Sequence, residues 1–218
     1  MLFNLLLQAP LIGIVWIAAI VIALTVHEFA HALVGSWRGD STAEDMGRLT
    51  LNPLAHIDIF GFMMLIVIGF GWAKPVPFDP RNLRNPLKDG LLIALAGPAA
   101  NLVLAALAAL AFRGLFAADL LNFETMLAMF LVLLVFVNLL LFFFNLVPIY
   151  PLDGSKVLDV VLPGTRLDFI RQWLMMYGPR VLLALVIISL LTNFNPFGVI
   201  QVPAALLCST LIGMPCGF

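Results

Sequence analysis

Long apolar runs separated by short polar stretches dominate the chain. Three runs, at about residues 10–34, 91–112 and 126–147, are long enough to cross a bilayer as helices, which takes about 20 residues. A fourth run covers roughly residues 179–192, and a last one, residues 197–212, is interrupted by Pro203. The pattern predicts an all-α integral membrane protein, built as a bundle of about four to six transmembrane helices.

The region after the first run has a different pattern. Residues 47–52, GRLTLN, alternate polar and apolar positions as a short strand does, and Pro53 ends the alternation. The next apolar run, residues 59–73, has only 15 residues and three glycines, which is short for a crossing. We therefore expect a short β-hairpin-like or re-entrant segment after the first helix.

Composition agrees with a membrane protein and excludes some functions. The chain is 63% hydrophobic and 11% charged, whereas soluble domains carry about 25% charged residues. The net charge of −1 and the lack of a basic cluster argue against nucleic acid as a partner. Cys208 and Cys216 lack the spacing of a zinc knuckle, so we expect them to have a packing role. We expect residues 1–218 to form a single polytopic membrane domain with its core at about residues 10–160.

Ionisable side chains interrupt the first apolar run. His27 and His31 are four residues apart, so a helix places both imidazoles on one face, where they can bind one ion. Glu28 lies beside them and can reach a water on that ion, as in the H-E-x-x-H pattern of zinc peptidases. Two ordinary polar histidines facing a helix bundle are the alternative. Ionisable groups at membrane depth are costly and usually functional, which favours a metal site.

A catalytic zinc site needs a third protein ligand. Asp153 in PIYPLDG is the best candidate, because it follows the third apolar run where Pro148 and Pro151 prevent regular helix. The alternative for Asp153 is a turn residue, since Asp-Gly pairs are common in turns. His56 in NPLAHID is the second candidate ligand. It could also support the site through a hydrogen bond or lie in a loop at the membrane surface.

Five segments occur in a characteristic order: HEFAH, GRLTLNPLAHID, GWAKPVPFDPRN, ALAGPAANL and FNLVPIYPLDG. Together, over about residues 20–160, they resemble the site-2 protease family of intramembrane zinc metalloproteases. The resemblance implies one zinc ion bound by His27, His31 and Asp153. It also implies that Glu28 activates a water molecule and that Asn101 lies close to the active site.

The same resemblance indicates what kind of member this chain is. Many relatives carry PDZ or CBS domains, and we expect this chain to be a minimal form without them. Tyr150 stands where such proteins often have proline or a small residue. We do not expect this difference to disturb the site.

Two residues and one segment have candidate roles toward the substrate. Asn101 could donate a hydrogen bond to the developing oxyanion or hold the substrate backbone, and His56 could assist it. Helix–helix packing near Gly97 and Pro98 is the alternative for Asn101. The strand-like GRLTLN could pair with an unwound substrate by edge addition, or it could be a structural hairpin that tethers the loop.

The zinc ligands also predict the topology. They meet only if the first and third runs end at the same face, so residues 59–73 must make no net crossing. Ten of the eleven Lys and Arg residues then lie at that face and only Arg113 at the other, whereas a full crossing would divide them eight to three. Because positive residues collect in the cytoplasm, we expect a multi-pass cell-membrane protein whose active site opens toward the cytoplasm.

These observations predict a zinc-dependent intramembrane endopeptidase that hydrolyses peptide bonds in or near transmembrane segments of membrane proteins. A metal-binding carrier or channel lined by His27, His31 and Asp153 is the alternative, but a carrier has no particular need for Glu28. A third possibility is an inactive relative that acts as a binding partner, and the complete set of ligands and base argues against it.

Overall fold

The computed structural model describes residues 2–192 and 194–216, and helices make up its regular structure. Four helices are long and apolar enough to cross a membrane, which confirms the predicted fold class: α2 (Pro10–Trp37), α5 (Pro86–Ala117), α6 (Met126–Asn145) and α8 (Asp168–Leu191). The shorter helices are α1 (Leu2–Gln8), α3 (Thr42–Asp45), α4 (Ile59–Ile68), α7 (Ser155–Val161) and α9 (Gly198–Ile212).

The predicted runs begin where α2 and α6 begin, whereas α5 and α8 start earlier than predicted. Polar capping residues begin two of them: the Asn85 side chain accepts from Lys88 N at the start of α5, and Thr125 Oγ1 accepts from Ala128 N at the start of α6. α8 begins at Asp168 and continues through Pro179, where the fourth predicted apolar run starts. Membrane helices tolerate internal proline because neighbouring groups satisfy the freed backbone.

Helices α2, α5 and α6 pack against one another, and α9 packs on α6. Small residues line these contacts and let the helix backbones approach closely. Such close packing matters in a membrane because lipid provides no hydrophobic driving force between helices. The buried alanines of this core are Ala19 and Ala23 on α2, Ala105, Ala108 and Ala109 on α5, Ala128 on α6 and Ala204 on α9.

Helix α4 and its flanks form a re-entrant segment. Asp58 caps the helix by accepting from Gly61 N at 2.8 Å, and Gly69 ends it at a left-handed φ of 80°. The chain then returns to its starting point: Ile57 and Ala73 form an antiparallel bridge, and Lys74 N donates to His56 O at 2.8 Å. Because its two ends meet, the segment makes no net crossing.

The predicted strand at GRLTLN is wrong. Residues 49–51 form bends, and no strand is present in the part of the chain that the structure describes. The burial pattern explains the error, because it reverses the one that the alternation suggested: Arg48 is buried, whereas Leu51 is exposed. Hydrogen bonds within the loop replace strand pairing, since His56 Nε2 bonds Thr50 O and Asn52 Oδ1 accepts from Leu54 N.

One buried carboxylate holds the polar segment between α2 and α5. Asp40 is 1% exposed and accepts hydrogen bonds from the backbone N–H groups of Asp79 and Thr42 and from the side chains of Thr42 and Asn82. Burial alone would raise the pKa of Asp40, but these hydrogen bonds outweigh it and hold the pKa below its usual value. The folded protein therefore favours the ionised form.

We expect Asp40→Asn to lower the free energy of unfolding by about 1–3 kcal/mol, because an amide N–H would face one of the donors that the carboxylate accepts from. In the wild type, the stabilisation by Asp40 is complete above about pH 4 and is lost as the pH falls through the lowered pKa. Thermal unfolding in detergent at several pH values measures both effects. The exposed Asp45, bonded to Ser41, gives the control Asp45→Asn, and an equal Tm for the two variants would contradict the expectation.

Cys208 and Cys216 are bonded to each other, so their role goes beyond the expected packing. Helix α9 begins beside the carboxyl end of α6, where the rings of Phe197 and Phe144 lie 6.2 Å apart, and it packs along α6. It therefore runs antiparallel to α6. The disulfide lies at the far end of α9, toward the amino end of α6.

Candidate metal centre

Three ligand atoms converge where α2 meets the chain that follows α6. Nε2 of His27 and Nε2 of His31 lie 3.0 Å apart. Asp153 Oδ2 lies 3.2 Å from the first of these nitrogens and 3.4 Å from the second. The structure thus brings together the three predicted ligands, in a group that could hold a metal ion.

The hydrogen bonds of His31 show which nitrogen is available to an ion. Its Nδ1 lies 2.7 Å from the carbonyl oxygen of Ile93, which can only accept, so Nδ1 carries the proton. Nε2 then presents a lone pair toward the other imidazole. Histidines that bind a metal through one ring nitrogen typically donate the other N–H to such an acceptor.

His27 is oriented in the same way by a side chain. Its Nδ1 lies 2.6 Å from Asn101 Oδ1, and Asn101 Nδ2 donates to Ala23 O at 3.1 Å. The proton of His27 therefore also lies on Nδ1, and its Nε2 faces the cluster. Two lone pairs and a carboxylate at hydrogen-bond distance repel one another unless a proton or a metal cation lies between them. The donor set of two imidazole nitrogens and one carboxylate oxygen fits zinc.

Gly97 on α5 leaves room for the ion. A Cβ at this position would lie 2.4 Å from His31 Nε2 and 2.6 Å from His27 Nε2. The missing side chain therefore lets the α5 backbone form one wall of the metal centre. This contact explains the glycine of ALAGPAANL in physical terms.

A tight turn presents Asp153. Gly154 N donates to Asn145 O at 2.6 Å, which closes the loop between α6 and α7. A Cβ on Gly154 would lie 2.3 Å from Leu146 O, so only glycine fits this close approach of backbone to backbone. The glycine of the Asp-Gly pair thus holds the preceding carboxylate over the two imidazoles.

Tyr150 connects this turn to the helices that follow. Its ring is buried and its hydroxyl donates to Asp159 on α7, which also pairs with Lys156 at 3.1 Å and with Arg171 of α8 at 3.6 Å. Burial raises the pKa of Tyr150, and the Asp159 carboxylate raises it further, so the hydroxyl keeps its proton. The tyrosine thus tethers the loop to α7 and α8.

Glu28 is 8% exposed and lines the same cavity as the three candidate ligands. The cavity has a volume of about 560 Å³. Its other walls come from α5 and α6, from the loop before α7, from α8 and from the extended chain after α4. That extended chain contributes Gly71, Trp72, Ala73, Pro75, Val76 and Phe78.

Arg48 is a site residue that the sequence did not reveal. It had served only as one of the positive charges that predict the orientation in the membrane. Its buried guanidinium donates to the carbonyl groups of Lys74 and Pro75, so it fixes the extended chain that lines the cavity. Burial lowers the pKa of Arg48, and the nearby negative charge of Glu28 opposes this shift. Arg48 fits the polar–apolar alternation of GRLTLN, so the sequence carried no signal that it is buried.

Two predicted site residues contribute no atom to the ligand cluster itself. His56 is buried and lines a neighbouring, more apolar cavity of about 320 Å³, where its Nε2 donates to Thr50 O at 2.8 Å. Asn101 is fully buried, and its N–H groups are directed to Ala23 O and to the side chain of Asn138. In this arrangement Asn101 contacts His27 and offers no N–H group to a substrate.

Comparison with known proteins extends these observations. The model of peptidase family M50 matches residues 114–189. A Bacillus subtilis (strain 168) protein named "Putative zinc metalloprotease YwhC" is 41% identical over 160 residues, which cover 69% of this chain and 70% of that protein. The chain belongs to peptidase family M50. This confirms the resemblance to site-2 proteases.

A second relative of this M50 peptidase is more distant. The protein named "Putative zinc metalloprotease Rip2" from Mycolicibacterium smegmatis (strain ATCC 700084 / mc(2)155) is 38% identical over 97 residues, which cover 42% of this chain and 37% of that protein. No solved structure matches the chain.

Proposed function

We propose that this M50 peptidase is a zinc-dependent intramembrane endopeptidase, with His27, His31 and Asp153 as zinc ligands and Glu28 as general base. The observation that carries the proposal is the convergence of two imidazole Nε2 atoms and a carboxylate oxygen inside a bundle of helices that are long and apolar enough to span a membrane. Both relatives described above are named as zinc metalloproteases.

When bound, zinc supplies a Lewis acid that polarises the scissile carbonyl and lowers the pKa of water to about 7. Glu28 accepts the proton of the attacking water and returns it to the leaving amine. Asp153 places one negative charge beside the cation, which reduces the cost of holding it in an apolar bundle. The carbonyl of Ile93 and the amide of Asn101 keep both imidazoles in the required tautomer and orientation.

We infer that the substrate is a transmembrane segment of another protein, reached within the lipid bilayer. The cavity lies among spanning helices and is lined largely by apolar side chains, which suits an apolar substrate segment. A helical segment hides its carbonyls in its own hydrogen bonds, so it must unwind locally before the peptide bond reaches Glu28. Residues that weaken a helix, such as glycine and proline, would favour cleavage.

The proposed orientation places the metal centre toward the cytoplasm, within a single domain of residues 1–218 whose core spans about 10–160. The bias of ten cationic residues against one supports it. The Cys208–Cys216 disulfide adds independent support, because it lies at the end of α9 away from Phe144, and disulfides persist outside the cytoplasm.

We expect a cysteine at Glu124, in the exposed turn before α6, to react with a membrane-impermeant maleimide in intact cells. A cysteine at Arg84, in the exposed segment before α5, should react only after lysis. The native cysteines give no background because they are bonded to each other. The reverse labelling pattern would show that the protein has the opposite orientation in the membrane.

A trapping experiment tests the substrate class. Tagged Glu28→Gln protein is expected to retain transmembrane proteins that the wild type releases, and wild type in proteoliposomes should cleave them at sites that mass spectrometry places in or near the bilayer. A chelator should stop the reaction, and added zinc should restore it. Cleavage confined to soluble segments would contradict the intramembrane assignment while leaving the peptidase activity itself intact.

A further inference from the structure

Asn138 is a buried amide in an apolar helix. From Met126 to Phe144, α6 carries no other polar side chain, and Asn138 is 0% exposed. An amide in the membrane interior is costly unless its hydrogen-bonding groups are satisfied. Its position opposite α2 and α5 therefore calls for a partner, and the partner is Asn101.

The hydrogen bonds form a directed chain from the α6 backbone to the metal centre. Asn138 Nδ2 donates to Leu134 O at 2.7 Å. Asn101 Nδ2 donates to Asn138 Oδ1, also at 2.7 Å. Asn101 Oδ1 in turn accepts from His27 Nδ1 at 2.6 Å.

The direction of this chain is fixed at its far end. The Leu134 carbonyl can only accept, so the N–H side of Asn138 must face it and the oxygen must face Asn101. Asn101 then directs its own oxygen toward His27. If Asn101 turned over, its N–H groups would face Nδ1, and the His27 proton would move to Nε2, where it would block metal binding.

We propose that Asn138 is a positioning residue that keeps His27 Nε2 free for the metal by fixing the orientation of Asn101. The inference rests on the proposed function of His27 as a ligand. Ala23 O also accepts from Asn101, but at 3.1 Å, so Asn138 provides the shorter of the two bonds that hold this amide. Asn138 itself touches neither substrate nor metal.

Zinc affinity of the purified full chain, measured by competition with a chelating dye, tests the proposal. We expect Asn138→Leu to weaken zinc binding about tenfold and Asn101→Leu to weaken it about tenfold or more. Because Asn138 acts only through Asn101, the double variant should bind zinc as Asn101→Leu does, within about twofold. If the two substitutions acted independently, the double variant would instead lose zinc affinity by the product of the two single losses.

Two further variants separate positioning from packing. Val135→Ala removes fully buried volume from the same helix without touching the amides and should leave zinc affinity within about twofold. Asn138→Asp keeps an acceptor for Asn101 and should retain most of the affinity. If Asn138→Leu is not recovered folded, Asn138→Ala removes the amide without adding bulk and carries the same expectation.

The outcomes distinguish this inference from the proposed function. Wild type that binds no zinc, or His27→Ala that binds it as wild type does, would overturn the ligand assignment itself. Wild type that binds zinc through His27 while Asn138→Leu binds it equally well would overturn only the role of Asn138. Multiplicative losses in the double variant would also overturn it.

Discussion

Glu28→Gln is expected to retain zinc and to lose peptidase activity by about 10²–10⁴-fold, the usual contribution of a general base. Glutamine has the size of glutamate but its amide cannot accept the proton of the attacking water. Zinc binding should survive because the three converging ligand atoms belong to His27, His31 and Asp153. Metal analysis of the purified variant and a cleavage assay with a tagged membrane substrate measure the two properties separately.

The control is Glu44→Gln, which changes an exposed glutamate bonded to Ser36 and should preserve both properties. Wild-type cleavage by Glu28→Gln would contradict the assigned base and would favour the carrier or channel alternative. Loss of zinc together with activity would show instead that Glu28 is needed to build the metal centre.

Gly97→Ala is expected to abolish zinc binding, with a loss of affinity of at least about 100-fold. The added methyl would lie within 2.6 Å of both Nε2 atoms, in the space that the ion needs. The imidazoles cannot simply swing away, because Ile93 O and Asn101 Oδ1 hold their other nitrogens. Activity should fall with zinc content, and excess zinc should not restore it.

Gly90→Ala is a close control for this variant. Gly90 is also buried in α5, but a Cβ there meets no atom within 4 Å. Alanine favours helix over glycine by about 1 kcal/mol, so this variant should fold at least as well as wild type and bind zinc normally. Normal zinc binding by Gly97→Ala would show that the ion lies elsewhere.

The candidate ligands could be proposed from the sequence, and the structure brings them together, because their chemistry is visible in short patterns. His27 and His31 are one helical turn apart, and two prolines mark the break that exposes Asp153. The short run at 59–73 also predicted a segment without a net crossing. These features depend on local spacing and length, which a single sequence records directly.

Other parts of the site depend on contacts between distant elements. The Ile93 carbonyl supports His31 through a backbone atom, which no residue type reveals. Arg48 fits a strand because polar and apolar residues alternate around it, and the sequence does not show which of these side chains are buried. Asn138 was visible as a lone amide in an apolar helix, but its link to Asn101 required the packing of α5 on α6.

The candidate metal centre combines ligands from two different kinds of backbone. Its two imidazoles stand on one continuous helix, whereas its carboxylate comes from a turn that Tyr150 and Asp159 connect to Arg171, near the amino end of α8. Displacement of that end would draw the carboxylate aside and leave the histidine pair in place. A force that acts on α8 at the membrane surface would therefore change the affinity of the site for the cation.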